Sequence, residues 1–170
     1  LRGRELHRSG TGSVLTGDHY PAKVYVRFNT RPDLRQPWEI WINDAGQRFV
    51  REDAPETYER ELALFQQPRL RYRIIFDQGI LEAAPSGIPE WSHDKFVSHF
   101  GTHRMFAMAD SLASLANKIG VDAAALRETV RDYNAAVSGG HDRLGRQYLP
   151  KPIGTPPFYA VTHLGHSATS

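Results

Sequence analysis

The chain contains eight histidines and no cysteine. This composition limits the metal-binding and nucleophilic chemistry that its side chains can perform. Without a thiol there is no disulfide, no thiolate metal site and no cysteine nucleophile, so histidine is the only soft ligand. His99 and His103 have the i, i+4 spacing that would place two imidazoles on one helical face, as in zinc sites. Because Gly101 lies between them and no third ligand is near in sequence, we expect no metal site.

Two other chemical motifs are incomplete. Residues 10–13 (Gly-Thr-Gly-Ser) come nearest to a phosphate-binding glycine loop, but a third glycine is missing and no strand and helix are predicted around them. No serine stands in a Gly-x-Ser-x-Gly elbow, so the sequence gives no support to hydrolase chemistry. We therefore expect no cofactor-binding residues in this chain.

Composition and charge narrow the class of protein. The chain has 170 residues, 40% of them hydrophobic and 24% charged, with a formal net charge of +2. This is typical of a globular domain, and it is too balanced for an obligate nucleic-acid or anionic-membrane binder. No apolar run approaches the roughly 18 residues of a membrane span, and residues 1–5 are too polar for a signal peptide. We expect a soluble, cytoplasmic protein without nucleic-acid binding or membrane insertion.

Hydrophobic periodicity predicts the strands. Residues 22–30 alternate apolar and polar side chains, as a half-buried strand does. Residues 38–50 predict a β-hairpin, with Gly46 available for a positive φ in its turn. Residues 73–77 are a short apolar run suited to a buried strand, and the prolines before residue 158 start a last extended segment.

The helices are predicted from spacing and capping residues. A helix over residues 53–67 would place Leu62 and Phe65, together with Tyr58, on one side. We make no prediction for residues 79–104, where prolines and glycines interrupt every pattern.

The C-terminal half predicts a helical hairpin. Asp110 would cap a helix that Gly120 ends, and Asp122 would cap a second one that ends at residues 139–140 (Gly-Gly). Strands precede helices and one strand returns, so the fold class is α+β, a small mixed or antiparallel sheet with a helical hairpin.

Three segments, in their order along residues 38–162, resemble one protein family. Their motifs are Gly46-x-Arg48-Phe49-x-x-Glu52 followed by Phe76-Asp77, then Asp110 to Gly145-Arg146 across the two helices, then Pro157-Phe158-Tyr159-Ala160-Val161. The family is the substrate-capping domain of the fumarate reductase and succinate dehydrogenase flavoproteins, which also include 3-ketosteroid Δ1-dehydrogenases.

The resemblance implies a fragment of a two-domain FAD enzyme that acts on a carbon–carbon bond next to a carbonyl or carboxylate. Residues 1–20 would be an irregular segment, 21–155 the cap, and 156–170 the start of the strand that returns to a missing flavin domain. That domain, in the same polypeptide, would be the partner and would bind FAD, whereas we expect no FAD and no activity in this piece alone. The alternative is a stand-alone binding or assembly module derived from such a cap. Apolar surface exposed without the flavin domain would favour self-association.

The resemblance also implies site residues. Arg146, Tyr159, His163 and His166 would contact a small-molecule substrate on a concave face, and Tyr159 is a candidate catalytic proton relay, since a phenol with a pKa near 10 both donates and accepts protons. The alternatives are that Arg146 ties down its loop, that Tyr159 is a core residue and that the histidines are merely exposed.

The hairpin supplies a structural candidate and a departure from the family. We interpret Arg48 and Glu52 as a structural ion pair at its base. The fumarate reductases have a proton-donating arginine just beyond that motif, where this chain has Glu56 and Thr57, and the next arginine is Arg60.

The last segment departs from the family as well. The histidine that precedes a threonine in the final strand of those reductases is replaced by Ala168, before Thr169. Both departures argue against a C4-dicarboxylate reductase.

Overall fold

The computed structural model of the chain describes residues 14–15, 26–103 and 105–164. A four-stranded antiparallel sheet lies at its centre, with the strand order β3-β4-β6-β5. Its strands are β3 (Ile40–Ile42), β4 (Arg71–Asp77), β5 (Phe106–Ala109) and β6 (Phe158–Leu164). A separate antiparallel pair joins β1 (Val14–Leu15) to β2 (Val26–Arg27). The α+β class predicted from the sequence is confirmed.

Strands β4 and β6 form the middle of the sheet. They pair from Arg71 opposite Leu164 to Asp77 opposite Phe158. The predicted β4 is confirmed, and residues 74–76 (Ile-Ile-Phe) are buried, as expected of a strand covered on both faces. Strand β6, which the sequence analysis placed at the start of a return to another domain, is hydrogen-bonded on both sides within this sheet.

The two faces of the sheet differ in character. Because side chains alternate along a strand, Tyr72 and Phe76 share one face with their cross-strand partners His163 and Tyr159. This aromatic face also receives Phe96 from the helix His93–Ser98. The helix Leu112–Ile119 packs on β5 and β6.

The described part of the chain also contains five α-helices and a 3-10 turn over Pro68–Leu70. The helices are α1 (Thr57–Phe65), α2 (Gln78–Ala83), α3 (His93–Ser98), α4 (Leu112–Ile119) and α5 (Ala123–Gly139). Helices α2 and α3 lie in the stretch for which the sequence made no prediction, and each begins at a side-chain cap, Asp77 and Ser92 respectively.

The helical hairpin of α4 and α5 follows the prediction except at its first residue. The cap of α4 is Ser111, whose hydroxyl accepts from the backbone N–H of Ser114 at 3.1 Å, and not the neighbouring Asp110. Gly120 ends α4 with a φ of 71°, and Asp122 caps α5 through the N–H of Ala125 at 2.7 Å.

The predicted β-hairpin forms only in part. Gly46 takes the expected positive φ of 75° in the turn, and Asn43 accepts its N–H. The returning arm, however, makes one bridge, between Ile42 and Arg48, and the partner of β3 along its length is β4. The carboxylate of Glu52, which follows that arm, accepts the backbone N–H of Trp41 at 3.1 Å. This N–H is therefore not available for pairing with the returning arm.

The predicted helix α1 is present, and the side that carries its apolar residues is exposed. Tyr58, Leu62 and Phe65 are 70%, 45% and 55% exposed, and the buried residues of the helix are Arg60 and Leu64. Arg60 lies inward because its guanidinium donates to the carbonyl oxygen of Ala54 below the helix. The apolar stripe of α1, defined by Tyr58, Leu62 and Phe65, therefore faces outwards.

Candidate functional site

A buried ion network joins the hairpin segment to the loop that follows α5. Arg48 donates from Nε and Nη2 to the two carboxylate oxygens of Glu52, at 2.8 and 2.6 Å, and from Nη1 to Asp142. Nη1 of Arg146 lies 3.5 Å from Glu52. All four side chains are at least nine-tenths buried. The ion pair interpreted from sequence is thus present, within a larger cluster.

Electrostatics hold this network in its charged form. Burial disfavours the charged guanidinium of Arg48, but Glu52 and Asp142 outweigh it and raise its pKa above the ordinary value. Burial likewise opposes the charge on Asp142, and its bonds with Arg48 and backbone N–H groups nevertheless lower its pKa. Each charge is therefore stable only while its partners are in place.

Arg146 contacts the chain's own backbone with every nitrogen of its guanidinium. Nη1 donates to the carbonyl of Glu39 at 2.7 Å, Nε to that of Tyr148 at 2.7 Å, and Nη2 to that of Pro37. The side chain is 1% exposed. These contacts fit the alternative in which Arg146 ties its loop to the entry of β3.

Carboxylates hold most of the irregular segment between α5 and β6. Asp53 accepts the backbone N–H groups of residues 147 and 148, both at 2.8 Å. Asp77 accepts those of residues 154 and 155, both at 2.7 Å, and also caps α2. Side chains thus satisfy backbone groups that a helix or strand would otherwise pair.

Two hollows flank Arg35. The smaller, of about 170 Å³, is lined mainly by Phe28, Phe76, Ile80, Leu81 and Phe96, with Glu39 and His93. The wider and more open one, of about 440 Å³, includes Leu34, Trp38, Pro89 and Tyr148. Neither is lined by Arg146 or Tyr159, so these two hollows do not match the predicted concave face, although Tyr148 comes from the loop of Arg146.

The wall between the hollows carries a compensated charge. Arg35 binds Glu39 in a bidentate pair, at 3.0 and 2.6 Å, and donates to the carbonyl of Pro85 at 3.1 and 2.9 Å. It also lies over the ring of Phe28, 5.5 Å from its centre. A ligand would therefore meet mainly apolar surface in the wider hollow, mixed polar and apolar surface in the smaller one, and in both a guanidinium that is already paired.

Tyr159 lies in the aromatic face of the sheet. Its ring stacks on Phe76 with centroids 5.3 Å apart, and Phe100 packs edge-on against it at 4.8 Å. Its hydroxyl donates to Oε1 of Gln78 at 2.6 Å. Burial, with a smaller contribution from Glu82, raises the pKa of the phenol, which is therefore a neutral donor at pH 7. The geometry fits the core alternative.

His163 lies on the same face, four residues along β6, and is 0% exposed. Its Nδ1 is 3.3 Å from the hydroxyl of Tyr72, while its Nε2 has no hydrogen-bond partner among the described residues. Burial lowers the pKa of this imidazole to about 3, so it is neutral at pH 7. His166 lies outside the described residues.

The histidine pair His99 and His103 is engaged in local contacts. His99 stacks on Trp91, with ring centroids 4.4 Å apart, and its Nδ1 lies 2.7 Å from the carbonyl of Lys95. His103 accepts the backbone N–H of Met105 at 3.2 Å. In the described ranges, no three His, Asp or Glu side chains are grouped as a metal site would require.

The sequence analysis missed the Arg35–Glu39 pair because nothing in a turn-rich stretch predicts that two opposite charges four residues apart will meet. Arg60, singled out as the first arginine beyond the hairpin motif, is 1% exposed and bonded to Ala54 and to Thr57. The guanidinium of Arg60 thus lies on the buried side of α1.

Comparison with known proteins identifies the relatives of this chain. No protein-family model matches it. It is 30% identical over 162 residues to an NADH:fumarate oxidoreductase of Klebsiella pneumoniae, covering 92% of this chain and 16% of that protein. It is 32% identical over 123 residues to the fumarate reductase (cytochrome) of Shewanella frigidimarina, covering 72% of this chain and 20% of the relative.

Solved structures share the fold. The open conformation of a flavocytochrome c3 fumarate reductase matches 89% of this chain and 24% of its own, with a TM-score of 0.68 and 25% identity. A 3-ketosteroid Δ1-dehydrogenase of Sterolibacterium denitrificans matches 90% and 30%, with a TM-score of 0.64 and 24% identity. A fumarate reductase flavoprotein subunit of Lactobacillus plantarum, solved by solution NMR, matches 79% and 88%, with a TM-score of 0.56 and 20% identity.

The resemblance drawn from the sequence is confirmed. The homologues and structural neighbours of this chain are fumarate reductase flavoproteins and 3-ketosteroid dehydrogenases. The chain spans only about a sixth to a fifth of the length of these curated relatives. Within the part of the chain that the structure describes, no helix is both long and apolar enough to cross a bilayer.

Asp142→Asn should destabilise the fold by about 3 kcal/mol, because it removes one of the two carboxylates that compensate the buried charge of Arg48. Urea unfolding of the variant measures this loss. The control is Asp132→Asn, which breaks an exposed pair with Arg131 and should cost about 0–1 kcal/mol. Equal losses in the two variants would show that the buried network contributes no more than a surface pair.

Acid should destabilise the protein through His163. Its folded-state pKa of about 3 lies below the ordinary 6.5, so its contribution is complete above pH 6.5 and is lost as the pH falls towards 3. Stability measured from pH 6.5 to 4 should fall by up to about 1.4 kcal/mol per pH unit from this group. His163→Phe should flatten that slope, and substitution of the exposed His141 by Gln should not.

Proposed function

We propose that this chain is the substrate-capping domain of an FAD-dependent oxidoreductase that acts on a carbon–carbon bond next to a carbonyl or carboxylate. The observation that carries the proposal is the match of nearly the whole chain to a minor part of several flavoproteins. About nine-tenths of the chain superposes on 24% to 30% of two such structures. The larger remainder of those proteins has no counterpart in this chain and would hold the flavin.

The helix N-termini of the described residues do not fit the diphosphate of FAD. A diphosphate is bound by free backbone N–H groups at a helix N-terminus. The N-termini of α2 to α5 are each capped by a side chain of the chain itself, namely Asp77, Ser92, Ser111 and Asp122. The first turn of α1 carries Glu59, whose charge disfavours an anion. We therefore assign FAD to the flavin domain of the parent protein.

The apolar stripe of α1 supports a partner domain. Three large apolar side chains, Tyr58, Leu62 and Phe65, stand 45% to 70% exposed on one side of a nine-residue helix. A contiguous exposed apolar surface of this kind is typical of an interaction site. In the proposal, the flavin domain covers this stripe, and in its absence the stripe is a surface for self-association.

The charges around the hollows indicate which class of substrate they would bind. The one guanidinium that lines them, Arg35, is already paired with Glu39. The position beyond the hairpin motif is held by Glu56 and Thr57, and Arg60 is buried. Among the described residues that line the hollows, a dicarboxylate would find no unpaired guanidinium, so we favour a less polar carbonyl compound as substrate over a C4-dicarboxylate.

A stand-alone binding module remains the alternative function. This chain covers 88% of the solution structure from Lactobacillus plantarum, so the two share the fold at a similar size. Independent folding is required of such a module but is also compatible with a cap.

The reading frame around this chain tests the proposal. Flanking sequence should encode a glycine-rich flavin fingerprint, and the whole protein should bind FAD, as visible absorbance would show, whereas the 170-residue chain should not. In the whole protein, Leu62→Asp should lower turnover with FAD retained, and Glu59→Lys on the same helix should not. Stop codons on both sides would favour the stand-alone module, and full turnover of the Leu62 variant would contradict the docking of the stripe on the flavin domain.

Tyr159→Phe in the whole protein separates the two roles of this residue. Because the phenol donates to Gln78 within the core, its removal should lower the free energy of unfolding by about 1 kcal/mol and leave kcat within about twofold. A loss of about a hundredfold or more in kcat, with stability unchanged, would instead identify Tyr159 as the proton relay.

A further inference from the structure

Three arginines converge on one carboxylate at the hairpin turn. Arg71 binds Asp44 with Nε and Nη2, at 2.9 and 3.0 Å. Arg73 donates to the same carboxylate from Nη1, and Arg69 approaches it to 3.4 Å. These four residues are called the arginine cluster below.

The arginine cluster has an excess of positive charge. Three guanidinium groups share a single carboxylate, and among the described residues no second acidic side chain pairs with any of them. Burial, together with the neighbouring charges of Arg71 and Arg69, lowers the pKa of Arg73 against the opposing effect of Asp44. Two net positive charges are thus confined within a few ångströms.

Many guanidinium N–H donors of the arginine cluster make no hydrogen bond to the described residues. A guanidinium carries five N–H groups. The side chain of Arg69 is 72% exposed and makes one long contact, so most of its donors face solvent. Arg73, 5% exposed, forms the floor: Nη2 donates to the carbonyl of Ile119 at the end of α4, and Nε has no acceptor in the described part of the chain.

The backbone is strained at Arg69. Arg69 and Leu70 have φ values of 60° and 50°, in the left-handed region that favours glycine. Two adjacent non-glycine residues in this region are strained, and strain of this kind is concentrated at functional sites. The side chain of Arg69 lies 3.4 Å from Asp44 at this turn.

We propose that the arginine cluster is a binding site for a phosphate group, held by Arg69 and Arg71 above the buried Arg73. A phosphate dianion matches the two net charges, and its oxygens accept from guanidinium forks in a bidentate manner. Arg71 lies five residues along β4 from Phe76, which lines the smaller hollow, a separation of about 16 Å. The site is therefore distinct from the hollows and does not rest on the proposed function.

Titration of the chain with inorganic phosphate tests this proposal, with sodium chloride at equal ionic strength as the reference. We expect a saturable rise in Tm and saturable shifts of the arginine Nε–H signals in NMR spectra. Arg69→Gln should weaken binding by about tenfold, since it removes a charge-assisted contact from an exposed side chain. The matched control is Arg131→Gln, an exposed arginine paired with Glu128 and Asp132, which should leave binding unchanged.

Asp44→Asn provides a test that a merely structural role would not pass. Removal of the competing carboxylate should strengthen phosphate binding several-fold even if it lowers stability. Glycerol 2-phosphate separates the two sources of the group: tighter binding than inorganic phosphate indicates an organic phosphate ester, and equal or weaker binding indicates the free ion. A phosphate effect equal to that of chloride, or one unchanged in Arg69→Gln, would overturn the proposal.

Discussion

The buried ion network is the interaction on which the rest of this fold depends. It connects residues 48 and 52, which follow the hairpin turn, to residues 142 and 146, almost a hundred positions later. The segment it holds has neither helix nor strand between α5 and β6, so its backbone groups need other partners. Asp53 and Asp77 supply them from two further places in the chain. Because each charge here is buried, removal of one partner leaves another without compensation, and the segment loses its attachment as a unit.

Strand β6 connects this irregular segment to the sheet. It follows the held segment and pairs with β4 on one side and β5 on the other, so the fold closes only when the last described strand is in place. Its residues Tyr159 and His163 thereby enter the aromatic face, where both are neutral. The phenol of Tyr159 donates to Gln78, and the imidazole of His163 packs against the rings of Phe28 and Tyr72, so both belong to the core. Neither residue lines the hollows beside Arg35.

Two exposed surfaces lie outside the buried ion network and the aromatic face of the sheet. The apolar stripe of α1 is exposed because Arg60 and Leu64 take the inner side of that helix. The arginine cluster lies just beyond it along the chain, across the strained turn at Arg69 and Leu70. One surface is apolar and suits a covering domain, whereas the other is cationic and suits a phosphate group. The match to part of fumarate reductases and steroid dehydrogenases supports the proposal for the apolar stripe. The proposal for the arginine cluster rests on the residues of this chain alone.

The sequence alone determined the elements whose signal is local: β4 from its apolar run, the turn glycine at residue 46, and the paired helices from their capping residues and glycines. It also identified the relatives, because their motifs lie in order along the chain. Tertiary structure decided which partner a strand or side chain takes. It paired β3 with β4, turned α1 by placing an arginine inwards, and brought Arg35 to Glu39 and Asp142 to Arg48. Periodicity reports how one segment divides its own apolar and polar faces, but the partner of a buried charge is set by segments far away in sequence.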